Sequence, residues 1–238
     1  MNIVIDIETI PDQSENAIQE IMKDLKVKSP DLTKPKLIDA LELGADGKFK
    51  TVPELKELWI ERFGDDAKYE QAEAKWLKTS FDGGYGEIIC ICCDIDGSLG
   101  IFANKNGEKK MLEDFWFAVS EYTQAPYFVA HNAKFDIPFL WHRSVINGVV
   151  TPKHFKAHGR HDSNYYCTME AWSGFNGKIK LDSLAKILNL GSKTEGMDGS
   201  QVWPEYRKGN INKIVDYCVD DVKLTRAIFD RMTKMSGA

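Results

Sequence analysis

Hydrophobic and polar positions along this chain follow two periods, near two residues and near three and a half. At the N-terminus, MNIVIDIETIPD, the residues Ile3, Val4, Ile5 and Ile7 form a β-branched run. Such a run predicts a strand buried on both faces, ended by Pro11. Helical spacing follows at Ala17, Ile18, Ile21, Met22 and Leu25, at Leu55, Leu58, Trp59 and Phe63, and at Ala72, Trp76 and Leu77. Pro30, Pro35 and Pro53 separate these runs, and Asp82-Gly83-Gly84 closes the interval. Three or four short helices are expected there, as an insertion at about 12–84 within a single domain. Residues 87–95 then predict a strand, and Asp96-Gly97 a turn to a hairpin partner over 99–103. Beyond it the pattern predicts a helix over 108–122, a strand over 127–130 and a helix over 135–146. A fifth strand is expected over 161–165 and a helix over 181–190 stopped by Gly191. A last helix should run from about Asn212, as its N-cap, to Met232. This order predicts an α/β fold, a mixed sheet with helices on its faces.

Composition narrows the class without naming a function. The 238 residues suffice for one large domain or one domain with an insertion, and 43% hydrophobic with 28% charged is ordinary for a soluble globular protein. The longest apolar stretch, residues 88–93, is strand-sized, so neither a membrane span nor a signal peptide is expected. The five cysteines, Cys90, Cys92, Cys93, Cys167 and Cys218, lack C-x-x-C spacing, which predicts reduced thiols and a cytoplasmic location. Cys90, Cys92 and Cys93 lie in an apolar strand and read as core filler rather than zinc ligands. Net charge is −5, yet residues 143–213 carry eleven basic and six acidic residues, while 12–84 carry twelve basic and sixteen acidic. A basic region beside acidic clusters fits an enzyme that grips phosphate and hydrolyses it on metal; solvated faces of unequal charge fit it too.

Three short patterns carry candidate chemistry. Asp6 and Glu8 are two apart on a strand and so share a face at its end, where ligand crevices of open sheets lie. Two adjacent carboxylates repel and resist desolvation; a pair of hard oxygen donors suits Mg²⁺ or Mn²⁺, and a pair of solvated acids is the plain alternative. His131-Asn132-Ala133-Lys134-Phe135-Asp136 directly follows a strand, and Asp136 opens a helix. A capping role explains Asp136 by itself, while the same position aims it over the sheet edge towards Asp6. Asn132 would hydrogen-bond, and Phe135 stack on, any ligand there. In the last helix, Ile214, Cys218, Val222, Thr225, Phe229 and Met232 define a buried face, with Asp216, Asp220, Lys223, Asp230 and Lys234 opposite. Tyr217 and Asp221 belong to neither stripe. They sit one turn apart at the apolar edge, where a carboxylate needs a partner, and a hydrogen bond to Tyr217 or a backbone group would give Asp221 a purely structural role. His154, His158 and His161 have a spacing that suits a metal site or a phosphate-facing loop.

D-x-E after a first strand, H-N-x-x-F-D after a later one and Y-x-x-x-D in a final helix together resemble the DEDD (DnaQ-like) exonuclease superfamily. The tyrosine variant is indicated, because Asp216 stands where the histidine variant keeps its histidine. The resemblance covers residues 1–11 and about 85–232. It looks nearest to stand-alone relatives of the proofreading exonuclease of family B DNA polymerases, through L-D-S-L-A-K-I-L-N-L-G and M-D-G-S-Q-V. It implies a ribonuclease H-like, mixed five-stranded sheet flanked by helices. It implies 3′–5′ hydrolysis of DNA at single-stranded or frayed 3′ ends, by two metal ions, Mg²⁺ or Mn²⁺, with release of nucleoside 5′-monophosphates. Asp6 would bridge both ions, Glu8 and Asp221 would complete one site, and Asp136 the other. Tyr217 would orient the attacking water, and Ile7, Thr9, Ile10, Asn132 and Phe135 would touch substrate. An RNA 3′ exonuclease with the same chemistry, and a non-catalytic nucleic-acid-binding module on the same fold, are the other readings. The 12–84 insertion lies outside the family pattern, and a protein partner is one expectation for it.

Overall fold

The β-branched opening run becomes the middle strand of a sheet, β1 (Asn2–Ile10), in which Ile3, Val4 and Ile5 are buried on both faces. This computed structural model describes residues 1–122, 126–153, 155, 165–192 and 196–235. After β1 come α1 (Ala17–Asp24), α2 (Lys34–Ala40) and α3 (Val52–Leu77), then β2 (Glu87–Ile95), β3 (Ser98–Ala103), α4 (Glu108–Ser120), β4 (Tyr127–Ala130) and α5 (Ala133–Ile146). The chain continues through β5 (Tyr165–Cys167), α6 (Thr168–Ser173), α7 (Leu181–Ile187), α8 (Val202–Arg207) and α9 (Ile211–Met235). The strands form one five-stranded sheet in the order β3-β2-β1-β4-β5. β1 pairs antiparallel with β2, and β2 with β3, while β1 pairs parallel with β4, and β4 with β5. Parallel neighbours need crossovers, and α4 and α5 lie on them. This is the mixed, helix-flanked sheet of a ribonuclease H-like fold.

Alternation along β1 sorts two cores. Ile3, Ile5 and Ile7 pack with Leu112 and Phe115 of α4 and Leu140 of α5. Val4 and Ile10 pack with Val202 of α8 and Ile214, Cys218 and Val222 of α9. Asp6 and Glu8 therefore interrupt the face covered by α9. Between Glu8 and Thr9 the register shifts by one residue of β2, Ile89, and pairing resumes with Thr9 opposite Ile88 and Ile10 opposite Glu87. Gly86, just before β2, passes so close to Ile10 that an added Cβ would stand 2.9 Å from its carbonyl oxygen.

By its contacts the chain forms two compact units, Asp12–Lys78 and the remainder, Met1–Pro11 with Thr79–Ala238. Within the smaller unit, Leu37, Leu41 and Leu55 make a core against which Leu58, Trp59 and Phe63 pack. Gln71 holds Lys28 by two hydrogen bonds, donating to its carbonyl at 2.7 Å and accepting from its N–H at 3.0 Å. Of the three or four short helices expected, α1 and α2 are short, while the runs at residues 55–63 and 72–77 join in α3, unbroken for 26 residues. Its start is fixed by a capping box, Thr51 with Glu54, and by Pro53 in the first turn. The polar stretch in its middle carries no apolar period but keeps the helical ladder.

Other boundaries moved for local reasons. α7 stops at Ile187 because Asn189 turns left-handed, at φ 54°, and the Leu190 N–H reaches back to the Ala185 carbonyl. Gly191 comes two residues too late to be the stop. α9 begins at Ile211, with the Asn210 carbonyl taking the first N–H groups, so Asn212 lies inside the first turn. The fifth strand lies at Tyr165–Cys167; of the predicted span, 161–164 is outside the described residues, as are His154, His158 and His161. Among the described residues no helix is long and apolar enough to cross a membrane.

Candidate active site

Parallel pairing of β1 with β4 covers only Asn2 to Val4, so Asp6 and Glu8 project beyond the carboxyl end of β4. Here α5 begins. Its first turn places Asp136 against β1, 4% exposed, with the carboxylate accepting the backbone N–H of Ile7 and its own. A β-edge N–H left over by the short β4 thus aims the side chain. From the other side α9 lays Cys218 and Asp221 over the gap between Val4 and Ile10. The Cys218 thiol, fully buried, donates to the Asp6 backbone oxygen at 3.4 Å. Asp221 is 6% exposed, and the Tyr217 hydroxyl, one turn before it, donates to its carboxylate.

The four carboxylates act on one another. Burial pushes the Asp6 carboxyl well above the ordinary carboxylate range, and the charges of Glu8, Asp136 and Asp221 push it further. Burial also lifts Asp136, to about 7, against the pull of its two backbone N–H bonds and with a further push from Asp221. The Tyr217 phenol is driven far upward, first by burial and then by Asp221, Glu8 and Asp6. Tyr217 is therefore a neutral phenol at any working pH. Asp6 Oδ2 is buried and has no hydrogen-bond partner among the described residues. Asp6, Glu8 and Cys218 each offer a ligand atom within 4.8 Å of the others. A buried, unbonded carboxylate oxygen amid like charges fits a divalent cation bound by hard oxygen ligands.

Asp6, Glu8, Asp136, Tyr217 and Asp221 all line one open cavity of about 960 Å³. Ile7, Asn132 and Phe135 also line it, with Asn132 exposed and Phe135 half-buried. Thr9 and Ile10, expected to touch substrate, are not at the cavity. The Thr9 hydroxyl donates to the Ser80 carbonyl at 2.7 Å, and the Ile10 side chain is fully buried in the core under α9. The sequence reading missed several wall residues: His131, Lys180, Lys186 and the 196–200 segment. His131 braces the wall, its Nε2–H donating to the Ile179 carbonyl and its Nδ1 bonded to the Thr168 hydroxyl, each at 2.9 Å. Its signal was its place beside Asn132. For 196–200 the signal was M-D-G-S-Q-V, which marked kinship but no role. A further aromatic, Phe81, is 73% exposed and stands 6.5 Å from Phe135, ring centre to ring centre.

A mixed sheet in this order, with acids from its central strand and from two helices meeting over one crevice, defines a nuclease of the ribonuclease H-like class. The chain belongs to the family of predicted 3′–5′ exonucleases related to the exonuclease domain of PolB, which matches residues 88–238. That span holds Asn132, Phe135, Asp136, Tyr217 and Asp221; Asp6 and Glu8 precede it. No curated protein matches the chain.

Proposed function

We propose that this exonuclease removes nucleotides from the 3′ end of single-stranded DNA, releasing nucleoside 5′-monophosphates. The observation that carries the reading is Asp6 Oδ2, buried and without a hydrogen bond among the described residues, while Glu8, Asp136 and Asp221 all press on the same carboxyl. Asp6, Glu8, Asp136 and Asp221 would hold two Mg²⁺ or Mn²⁺ ions, which supply Lewis-acid stabilisation of the attacking and leaving oxygens. Tyr217 donates its hydroxyl proton to Asp221, so its oxygen lone pairs are left to accept an O–H of the attacking water. It orients that water and takes no proton, because its own pKa is pushed up. The water oxygen bonds to phosphorus and gives up a proton to solvent, the bond from phosphorus to the 3′ oxygen breaks, and that oxygen takes a proton from solvent. Phe135 offers a ring to the terminal base, and Asn132 a hydrogen bond. The cavity, about 960 Å³, has room for terminal nucleotides.

Single-stranded DNA, duplex DNA and RNA, each labelled at the 5′ end, test this with Mg²⁺, Mn²⁺ or chelator. The expected result is a ladder of shortening single-stranded DNA that disappears with chelator. Faster shortening of RNA would move the substrate to RNA, and unchanged cleavage after exhaustive chelation would overturn the metal mechanism.

A further inference from the structure

Across β1 and β2, Asp6 stands opposite Cys92 and Glu8 opposite Cys90. The sheet face that carries the two acids therefore continues as two thiols, and α9 lays Cys218 over the seam. The sulfur atoms of Cys90, Cys92 and Cys218 lie within 4.8 Å of one another. The Cys218 sulfur is also within 4.8 Å of ligand oxygens of Asp6 and Glu8. All three cysteines are free and fully buried. With Zn–S bonds of about 2.3 Å, thiolates sharing a tetrahedral ion sit roughly 3.8 Å apart, so small side-chain shifts bring this trio onto one ion. The trio forms the floor under the carboxylates, and their charge favours a cation there.

We propose that Cys90, Cys92 and Cys218 form a site for a thiophilic divalent cation of the Zn²⁺ class, with the Asp6 or Glu8 carboxylate as fourth ligand. Binding releases the thiol protons to solvent and gives a closed S₃O set. The same event draws a carboxylate away from the hydrolytic centre. Thiophilic ions then silence an enzyme that hard ions sustain. This inhibition rests on the function proposed above; the binding does not.

The test uses the reduced, metal-free full-length protein. Cd²⁺ titration should give a thiolate-to-metal charge-transfer band that saturates at one equivalent. Cys92→Ala and Cys90→Ala should lose most of the band, whereas Cys93→Ala, on the opposite face among the α4 packing, should keep it. Circular dichroism shows that each variant is folded. In Mg²⁺, wild-type hydrolysis should be blocked by Zn²⁺, and Cys92→Ala should need roughly tenfold more Zn²⁺ or beyond, since even an outer-sphere loss costs that much. No band in the wild type, or an equal band in folded Cys92→Ala, overturns the proposal. A band without hydrolysis under any condition leaves the thiol site standing and removes the nuclease reading.

Discussion

Asp6 is held where a carboxylate is least comfortable: half-buried, facing three other acids, with its Oδ2 buried and unbonded among the described residues. Two residues set the terms for its neighbours. Ile7 lends a backbone N–H that fixes Asp136, and Tyr217 lends a hydroxyl that fixes Asp221. Removing only that hydroxyl, in Tyr217→Phe, keeps the ring packing and all four acids. Single-turnover cleavage of single-stranded DNA at saturating Mg²⁺ should slow roughly ten- to a thousandfold, the loss of an orienting hydrogen bond in the transition state. DNA affinity should hold. A wild-type rate would give Tyr217 a packing role only, with a stability cost near 1 kcal/mol.

At the scale of elements, the phase of α9 decides which acid enters the site. Asp221 is buried, while Asp220 is half-exposed and pairs with Lys223 at 3.4 Å. Asp221→Ala should lower the rate by about a thousandfold or more, and Asp220→Ala should change it little. Initial rates of the two variants check the register, and equal losses would show it misassigned. The phase is secured at the far end, where Arg226 of α9 donates to the Asp94 carboxylate of β2 at 2.6 Å. A second fixing device joins α4 to α5 and β2. Glu108 accepts from Arg143 Nη2 at 2.7 Å, from the Ile88 N–H at 2.7 Å and from Asn147 at 2.8 Å, all of it buried or nearly so. Arg143→Ala strands that carboxylate and should cost about 3–5 kcal/mol in urea denaturation. Glu108→Gln combined with Arg143→Met should recover part of the loss.

Elements with an internal period were legible, and those defined by a partner were not. The two-residue spacing of Asp6 and Glu8 predicted a shared face, and that face, with Val4 and Ile10 on it, lies under α9. The wide apolar stripe of α9 gave its buried side, including Cys218, Val222 and Phe229. The polar middle of α3 hid its continuity, because a solvated helical turn has no apolar signal. Thr9 and Ile10 were placed by kinship; alternation carries the Ile10 side chain into the core under α9, and the Thr9 hydroxyl is spent on the Ser80 carbonyl. Lys180 lines the cavity through tertiary contacts that no spacing encodes.

For the whole molecule, the acid cluster couples stability to pH and to metal. Asp136 binds its proton more tightly when folded, with a pKa about 7 against an ordinary 3.8, and Asp6 is raised as well. The metal-free fold is favoured by that protonation at low pH and loses the benefit as pH climbs from about 4 through about 7. Thermal unfolding in chelator should show the melting temperature falling over this window, with Asp136→Asn flattening the slope. Divalent metal should restore stability most at the upper end, by about 2.7 kcal/mol at a hundredfold excess over its Kd. The smaller unit, Asp12–Lys78, has its own core and contributes none of the cavity-lining acids. The central claim is that Asp6, Glu8, Asp136 and Asp221 form one metal-holding set at a 3′ end. It is tested most directly by counting bound Mn²⁺ by electron paramagnetic resonance, with single-stranded DNA carrying a non-hydrolysable terminal linkage. Two ions per wild-type molecule, reduced in Asp6→Asn, is the predicted result; no bound Mn²⁺, or the same count in folded Asp6→Asn, would contradict it.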